Sequence, residues 1–273
     1  MKKFLFLCVN YNSYSEVHNF LHSVEKAAQS HGDIAVEVMI ADNTENGYQV
    51  IDTAPYHAIG VKVFPFYQNL GYLGAVSEMV KHLSEINFKN YQYVIISNVD
   101  VLLHNRFFEQ TLACRFDDQT AWVAPSIYSY YEKRDRNPSM RTKPTIQNIN
   151  KLCFMYAHPL LHYIYEKTLY KWRHRATVST PKREQIYAGH GSFMMFTGSF
   201  FEQNRNFKFP VFLFGEELFW AELALRSKNE VVYEPSIKIN DIDHISTRKI
   251  SYRKICAMCL EALQKMKVIM FAQ

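Results

Sequence analysis

Apolar, β-forming runs alternate with stretches of helical period through the first hundred positions. FLFLCVN (4–10), VEVMIAD (36–42), VKVFPF (61–66) and YQYVIIS (91–97) read as strands, being short, rich in Val, Ile, Phe and Tyr, and flanked by turn-forming residues. Between them, residues 15–30 set Val17, Phe20, Leu21 and Val24 on one helical stripe, with Ser13 or Ser15 as a cap, and residues 72–86 repeat the helical period. Strands alternating with helices predict an α/β fold with a mostly parallel, doubly wound central sheet flanked by helices. The alternation breaks from about Tyr128 to Gln185, a segment dense in Tyr, Arg, Lys and His that reads as an insertion with one helical element. It resumes with a strand at 192–197, a helix at 216–227 and strands at 230–235 and 237–239. A closing helix follows, whose apolar positions from Ile255 to Met270 recur at spacings of three and four.

Ligands of such sheets sit beyond the carboxyl ends of the strands. The residues there are polar: Asn10, Tyr11 and Asn12 after the first strand, Asp42, Asn43 and Thr44 after the second, Gln68, Asn69 and Gly71 after the third, Asn98 and Asp100 after the fourth. Asn, Asp and Gly end strands in any protein. The signal is that four such ends share one edge, giving a crevice of hydrogen-bonding groups that suits a nucleotide better than an apolar ligand. Neither GxGxxG nor GxxxxGK occurs, which disfavours a dinucleotide site and P-loop hydrolysis.

Composition narrows the class. With 273 residues, 48% hydrophobic and 21% charged, the chain can bury a full core, and disorder is excluded as its main state. No run approaches the roughly 18 apolar residues of a spanning helix. The start has two lysines and an apolar run, as a leader does, but Asn10 and Asn12 interrupt it and no small-residue cleavage site follows, so it reads as a strand. Five scattered cysteines, an odd number, point to a reduced, cytoplasmic setting. Cys256 and Cys259 form a CxxC pair on a helical pattern without a second pair, so no metal is expected there. The net charge of +5 is unevenly spread: residues 133–183 hold twelve basic and two acidic side chains, and residues 248–273 hold six and one, so the rest of the chain is acidic. Two basic surfaces of this kind suit phosphates or peripheral contact with an anionic membrane. Aromatic and basic interleaving would also suit single-stranded nucleic acid, but the acidic body and the lack of any RNA-binding module argue against a nucleic-acid partner.

Taken in order, CVNYNS, IADNT, NLGYLGA, ISNVDVLL, HGSFMMFTGSFF, FLFGEELFWAELALRSKNEVVYEP and DHIST resemble the successive motifs of family 2 glycosyltransferases with the GT-A fold, especially bacterial polysaccharide enzymes. The likeness spans residues 4–248, with the insertion aligning poorly. It implies a catalytic unit at 1–247, divided into a nucleotide-sugar-binding half (1–100), the basic aromatic insertion (128–185) and an acceptor-side half (186–247), followed by a basic amphipathic helix (248–273). It also implies inverting transfer of a hexosyl or deoxyhexosyl unit from a UDP, dTDP or GDP sugar to a glycan or lipid-diphosphate-linked acceptor in surface polysaccharide synthesis, with Mn2+ or Mg2+ as cofactor.

The resemblance assigns donor binding to Asn10, Asn12, Asp42, Asn69, Gly71, Gly74, Asn98 and Asp100. Asp42 would accept from an N–H of the base, and Gly71 and Gly74 would let backbone approach the nucleotide at a helix N-terminus. Asn98-Val99-Asp100 stands in place of the family's Asp-x-Asp, leaving Asp100 as the metal ligand and Asn98 for ribose or metal-bound water. His244 matches a late histidine that often supplies another ligand. In GEEL (215–218), Glu217 takes the place of the base that removes the acceptor's proton, and Glu216 competes for the role; both acids also suit a helix N-terminus. His190 and Gly191 would face the acceptor. Lys228 stands where relatives commonly have Gly, and Leu223 where many have Arg. The altered metal motif keeps open a noncatalytic sugar-nucleotide-binding or scaffold protein of the same fold.

Overall fold

The computed structural model describes residues 1–165, 167, 181–242 and 250–271. In chain order the described elements are β1 (Lys2–Asn10), α1 (Tyr14–Gln29), β2 (Ile34–Asp42), β3 (Gly60–Pro65), α2 (Tyr72–Lys81), a 3-10 turn (Phe88–Asn90), β4 (Tyr93–Asn98), β5 (Val101–Leu103), α3 (Phe107–Ala113), β6 (Thr120–Ser129) and β7 (Arg134–Asp135). They continue with α4 (Ile146–Ala157), α5 (Pro159–Tyr165), β8 (Glu184–Ile186), β9 (Phe193–Thr197), α6 (Gly198–Gln203), α7 (Glu216–Arg226), β10 (Glu230–Asp241) and α8 (Tyr252–Phe271).

The central strands dictate the layering. Successive side chains of a strand point to opposite faces, so the unbroken apolar run of β1 must be covered on both. Phe4, Phe6 and Cys8 join one apolar cluster, and Leu5 and Leu7 the other. β9 divides the same way, with Phe193 and Met195 on the first face and Met194 and Phe196 on the second. α1 and α3 cover the first face through Phe20, Leu21, Phe107 and Phe108; α2, α6, α7 and α8 cover the second through Met79, Phe201, Trp220 and Met266.

The sheet runs β3-β2-β1-β4-β9-β6-β10-β5, with β7 paired to β6 and β8 to β10. The expected parallel arrangement holds from β3 to β4 and for β6 with β10, whereas β9 lies antiparallel to both β4 and β6, making the sheet mixed.

Several elements differ from expectation. α2 ends at Lys81 rather than Ile86, because the chain tightens into three-residue turns in which Leu83 N–H donates to the Val80 carbonyl and Ile86 N–H to that of Leu83. The two strands expected at 230–239 are one, β10, broken only by a register shift between Glu234 and Lys238. The segment 128–185 carries two described helices, α4 and α5, rather than one, besides the end of β6, β7 and the start of β8; residues 168–180 fall outside the described set. Lys228 adopts φ 56° just past α7, the left-handed helix-ending conformation that glycine favours.

Trp220 anchors the second face. Its ring centroid lies 4.5 Å from that of Phe196 and 4.9 Å from that of Phe207, and its buried Nε1–H has no partner in the protein. Trp220→Ala should therefore cost about 3–5 kcal/mol in urea unfolding. Trp220→Phe, which also removes the unsatisfied donor, should cost under about 1.5 kcal/mol.

Candidate active site

The parallel strands carry their carboxyl ends to one edge of the sheet, where Asn10 lies beside Asp42 and Val9 beside Asn98. β10 brings Asp241 to the same edge opposite Val101, and the residues leading into β9 reach it from the other direction, the Asn98 N–H donating to the Ser192 carbonyl at 2.9 Å. A cleft of about 280 Å3 opens there. Of the residues predicted from sequence, Asn69, Gly71, Asn98, Asp100, His190, Gly191, Glu216 and Glu217 line it. Asn10, Asn12, Asp42 and Gly74 lie outside its wall, and His244 lies outside the described residues. A larger, shallow hollow beside α3 is lined by Arg106, Arg115 and Arg183, away from this edge, and Arg183 is already paired with Glu234.

Behind the cleft, the ends of β1 and β2 hold polar atoms that the fold buries and leaves open. Asn10 Oδ1 accepts from Ser13 N–H and Asp42 Oδ1 from Thr44 N–H, both at 3.0 Å, while Asn43 Nδ2 donates to the Gly71 carbonyl at 2.9 Å. Asn10 Nδ2, Asp42 Oδ2 and Asn43 Oδ1 have no partner in the protein. Each such buried group costs on the order of 1–3 kcal/mol unless something pairs with it, and one donor beside two acceptors matches the mixed edge of a nucleobase. Asn12 takes φ 54°, which Asn tolerates, and its N–H donates to Thr44 Oγ1.

Gly71 is needed for a reason other than nucleotide approach. Its φ is 74°, and a Cβ there would lie 2.0 Å from the Phe212 carbonyl oxygen, so glycine lets the 210–215 loop close over the start of α2. Gly74 sits within α2, where a methyl group would make only an ordinary contact with Leu70.

At the end of β4, Asn98 hydrogen-bonds the Asp100 carboxylate, yet burial and the nearby charge of Asp241 push the Asp100 acid up to about 6. Asp100 Oδ1 is buried without a partner in the protein. Asp241 is ion-paired with Arg136, which also reaches Glu132 at 3.4 Å. Two carboxylates meeting at one wall offer the hard oxygen donors that Mg2+ or Mn2+ take, so Asp100 and Asp241 fit such an ion. Among the described residues no group of three or more metal-ligating side chains converges.

The acids of α7 form the opposite wall. Phe214 and Gly215 precede them at φ 72° and 86°, a strained turn for an aromatic residue, held by the Phe214 N–H donating to Glu216 Oε1 at 2.9 Å. Glu217 Oε1 accepts from Gly191 N–H at 3.2 Å, and Tyr72 O–H donates to the Gly191 carbonyl at the same distance, fixing the loop before β9 between them. The helix dipole favours charged carboxylates at this position, but burial outweighs it. Glu216 is pushed up to about 8 by burial and by its neighbour Glu217, and burial raises Glu217 as well. Both acids of the pair therefore hold their protons more tightly than free carboxyls do; Glu216 is the more buried of the two, and both line the cleft.

Sequence reasoning missed Tyr72, Arg136, Phe214 and Asp241 in this wall. Asp241 was signalled by the acid alternation in NDIDH and Tyr72 by its place inside NLGYLGA, whereas nothing local marks Arg136.

No family model and no curated protein matches the chain. Solved structures do. GalNAc-T7 with UDP, GalNAc and Mn2+ is similar over 89% of this chain and 44% of its own, at 14% identity and a TM-score of 0.56. S. aureus TarS is similar over 89% and 37%, at 14% identity and 0.51; its 1–349 fragment with UDP-GlcNAc is similar over 89% and 59%, at 12% identity and 0.54. The chain thus has the α/β fold of GT-A glycosyltransferases and spans between about a third and three fifths of the length of these neighbours.

The Glu216 acid sits above its unfolded value, so the folded protein binds this proton more tightly than the unfolded chain does. The resulting stabilisation is complete below about pH 4 and is lost as pH rises through about 8. Asp100 contributes in the same direction over a lower window that ends near 6. Between about pH 6.5 and pH 8.5, the melting temperature of the native chain should fall relative to that of Glu216→Gln, by several degrees in a thermal scan.

Proposed function

We propose that the chain is an inverting glycosyltransferase that moves a hexosyl or deoxyhexosyl unit from a nucleoside-diphosphate sugar to a hydroxyl of a glycan or lipid-diphosphate-linked acceptor, in the synthesis of a surface polysaccharide. The observation that carries this reading is the pairing, across one cleft at the carboxyl edge of a GT-A sheet, of the Glu216–Glu217 acids with the carboxylates of Asp100 and Asp241. Five free cysteines suit the reduced cytoplasm as its setting.

Asn43, which lines the cleft with its Oδ1 open, would meet the base, and Asp42, buried behind it with Oδ2 open, would accept from the base N–H once the strand ends part to admit it. UDP is the first nucleotide to try, because two of the similar structures hold UDP or UDP-GlcNAc. Asp100 and Asp241 would hold Mn2+ or Mg2+, which when bound neutralises charge on the diphosphate. Asn98 keeps the Asp100 carboxylate in place. Glu217, held toward the cleft by the Gly191 N–H, in its ionised form takes the proton of the acceptor hydroxyl. As it does so, the acceptor oxygen bonds to the anomeric carbon. The bond from that carbon to the phosphate oxygen breaks on the opposite face, its electron pair leaving with the nucleoside diphosphate. Burial and the charge of Glu217 favour the protonated form of Glu216, which avoids two adjacent anions.

The Asn98 at the head of the metal motif favours a second reading, a noncatalytic protein that binds sugar nucleotides or acts as a scaffold. Two measurements separate them. Calorimetric titration with UDP, GDP and dTDP, with and without Mn2+, should show metal-dependent binding of one nucleotide that Asp100→Ala removes; no binding by any of them would reject the transferase. Glu217→Gln should lower turnover of that donor on the order of 10²- to 10⁴-fold while leaving nucleotide binding intact. An unchanged rate would remove Glu217 from the base position.

A further inference from the structure

Two residues at the start of α2 brace the acids of α7 from across the cleft. Gly71 lies against the Phe212 carbonyl of the loop that leads into those acids, and Tyr72 reaches the residue that holds Glu217. Gly191 is gripped on both sides: its carbonyl accepts from the Tyr72 hydroxyl and its N–H donates to Glu217 Oε1, each at 3.2 Å. A Cβ on Gly191 would lie 3.0 Å from Glu217 Oε1 and 3.2 Å from the carboxyl carbon, so the carboxyl rests against bare backbone. Whatever fixes that backbone therefore fixes the carboxyl.

Glycine is the residue whose backbone has most freedom to lose. Held only by Glu217, the Gly191 N–H could turn away from the carboxylate; the second tie, from a residue seated on a helix, removes that freedom. Tyr72 suits the task. Burial pushes its phenol well above the ordinary value, with Cys8, Glu216, Asp100 and Glu217 acting the same way, so the hydroxyl stays a neutral donor across the working range of pH. A general base works only within hydrogen-bond reach of the proton it takes. We propose that Tyr72 is a positioning residue, holding the Glu217 carboxyl through Gly191 in the orientation that receives the acceptor's proton, which rests on Glu217 being the base of the proposed transfer.

Tyr72→Phe keeps the ring and removes only the hydroxyl. The readout is the carboxyl-carbon NMR resonance of Glu217 in the full chain with isotope-labelled glutamate, assigned by its loss in Glu217→Gln and followed through a pH titration. The Gly191 N–H holds the Glu217 acid down against burial. Loosening Gly191 should therefore weaken that acid about three- to tenfold, the effect of one hydrogen bond, and move its midpoint to higher pH. Among the described residues, the titratable and charged groups around it are Glu216, Cys259 of α8, His190, and Asp100, Asp241 and Arg136 across the cleft. None of these changes in Tyr72→Phe, and Cys259, pushed up to about 12 chiefly by burial, stays a neutral thiol. Glu222, on the same helix but tied to Tyr187 and Lys143, should titrate as in the native chain. Gly191→Ala, which crowds the same carboxyl, is the second variant and should move the same resonance. The titration needs no substrate, so it decides the proposal whichever sugar nucleotide the cleft takes. With UDP-GlcNAc and Mn2+, read as UDP release, Tyr72→Phe should lower kcat and leave KM unchanged, and should lower nothing further in Glu217→Gln. An unmoved Glu217 midpoint in folded Tyr72→Phe would overturn the proposal. A raised KM with unchanged kcat would do the same, making Tyr72 a donor contact. A moved midpoint alongside unchanged UDP release in Glu217→Gln would count against Glu217 as the base and leave the hold of Tyr72 on it standing.

Discussion

The two-sided burial of the central strands is the constraint on which the molecule depends. Because β1, β4 and β9 send apolar side chains to both faces, helices must cover both, and polar chemistry is left to the strand ends. The carboxyl edge is where the chain turns polar: Asn10, Asp42, Asn98 and Asp241 all close strands there. Site and scaffold are thus two consequences of one pattern. The residues that end an apolar run are the residues that come together.

The same dryness sets the chemistry of the acids. A carboxylate in the first turn of an exposed helix would be held charged by the helix dipole. In α7 the first turn is pressed against the packed face that Trp220 anchors, and desolvation prevails at Glu216. Asp100 is raised for the same reason, with Asp241 adding to it. The strained Phe214–Gly215 turn presents these acids to the cleft, and the local strain is offset by the hydrogen bond from Phe214 N–H to Glu216 and by packing of Gly215 against Met266 of α8.

The first four strands, α1 and α7 were legible because each is a long apolar run or a clear helical stripe bounded by turn residues. β5 escaped notice because it has three residues, and β7 and β8 because they have two and three, too short for any period to register. β6 and α3 lie in the stretch between the fourth strand and Tyr128, where apolar residues are interrupted by charges and Pro125. α2 was overextended because Leu83 and Ile86 keep the helical period while the backbone has already changed to three-residue turns. At the site, motif order located Asn98, Asp100, Glu216 and Glu217, all of which line the cleft. Arg136 could not be found this way, since its role depends on a contact with Asp241, 105 positions later. Gly71 was expected to let backbone approach a nucleotide, whereas the close contact that requires glycine there is with the Phe212 carbonyl of a distant loop.

The reversal of β9 has a consequence for the polarity of the edge itself. Parallel strands all arrive there with their last carbonyls outward, so an edge built from them alone would be rich in acceptors and poor in donors. β9 departs from the edge instead of arriving at it, and the peptide leading into it turns an amide N–H outward: that of Gly191, which binds Glu217. A single antiparallel strand in the middle of the sheet thereby supplies the donor that a row of carboxyl ends lacks, and it does so beside the acid pair.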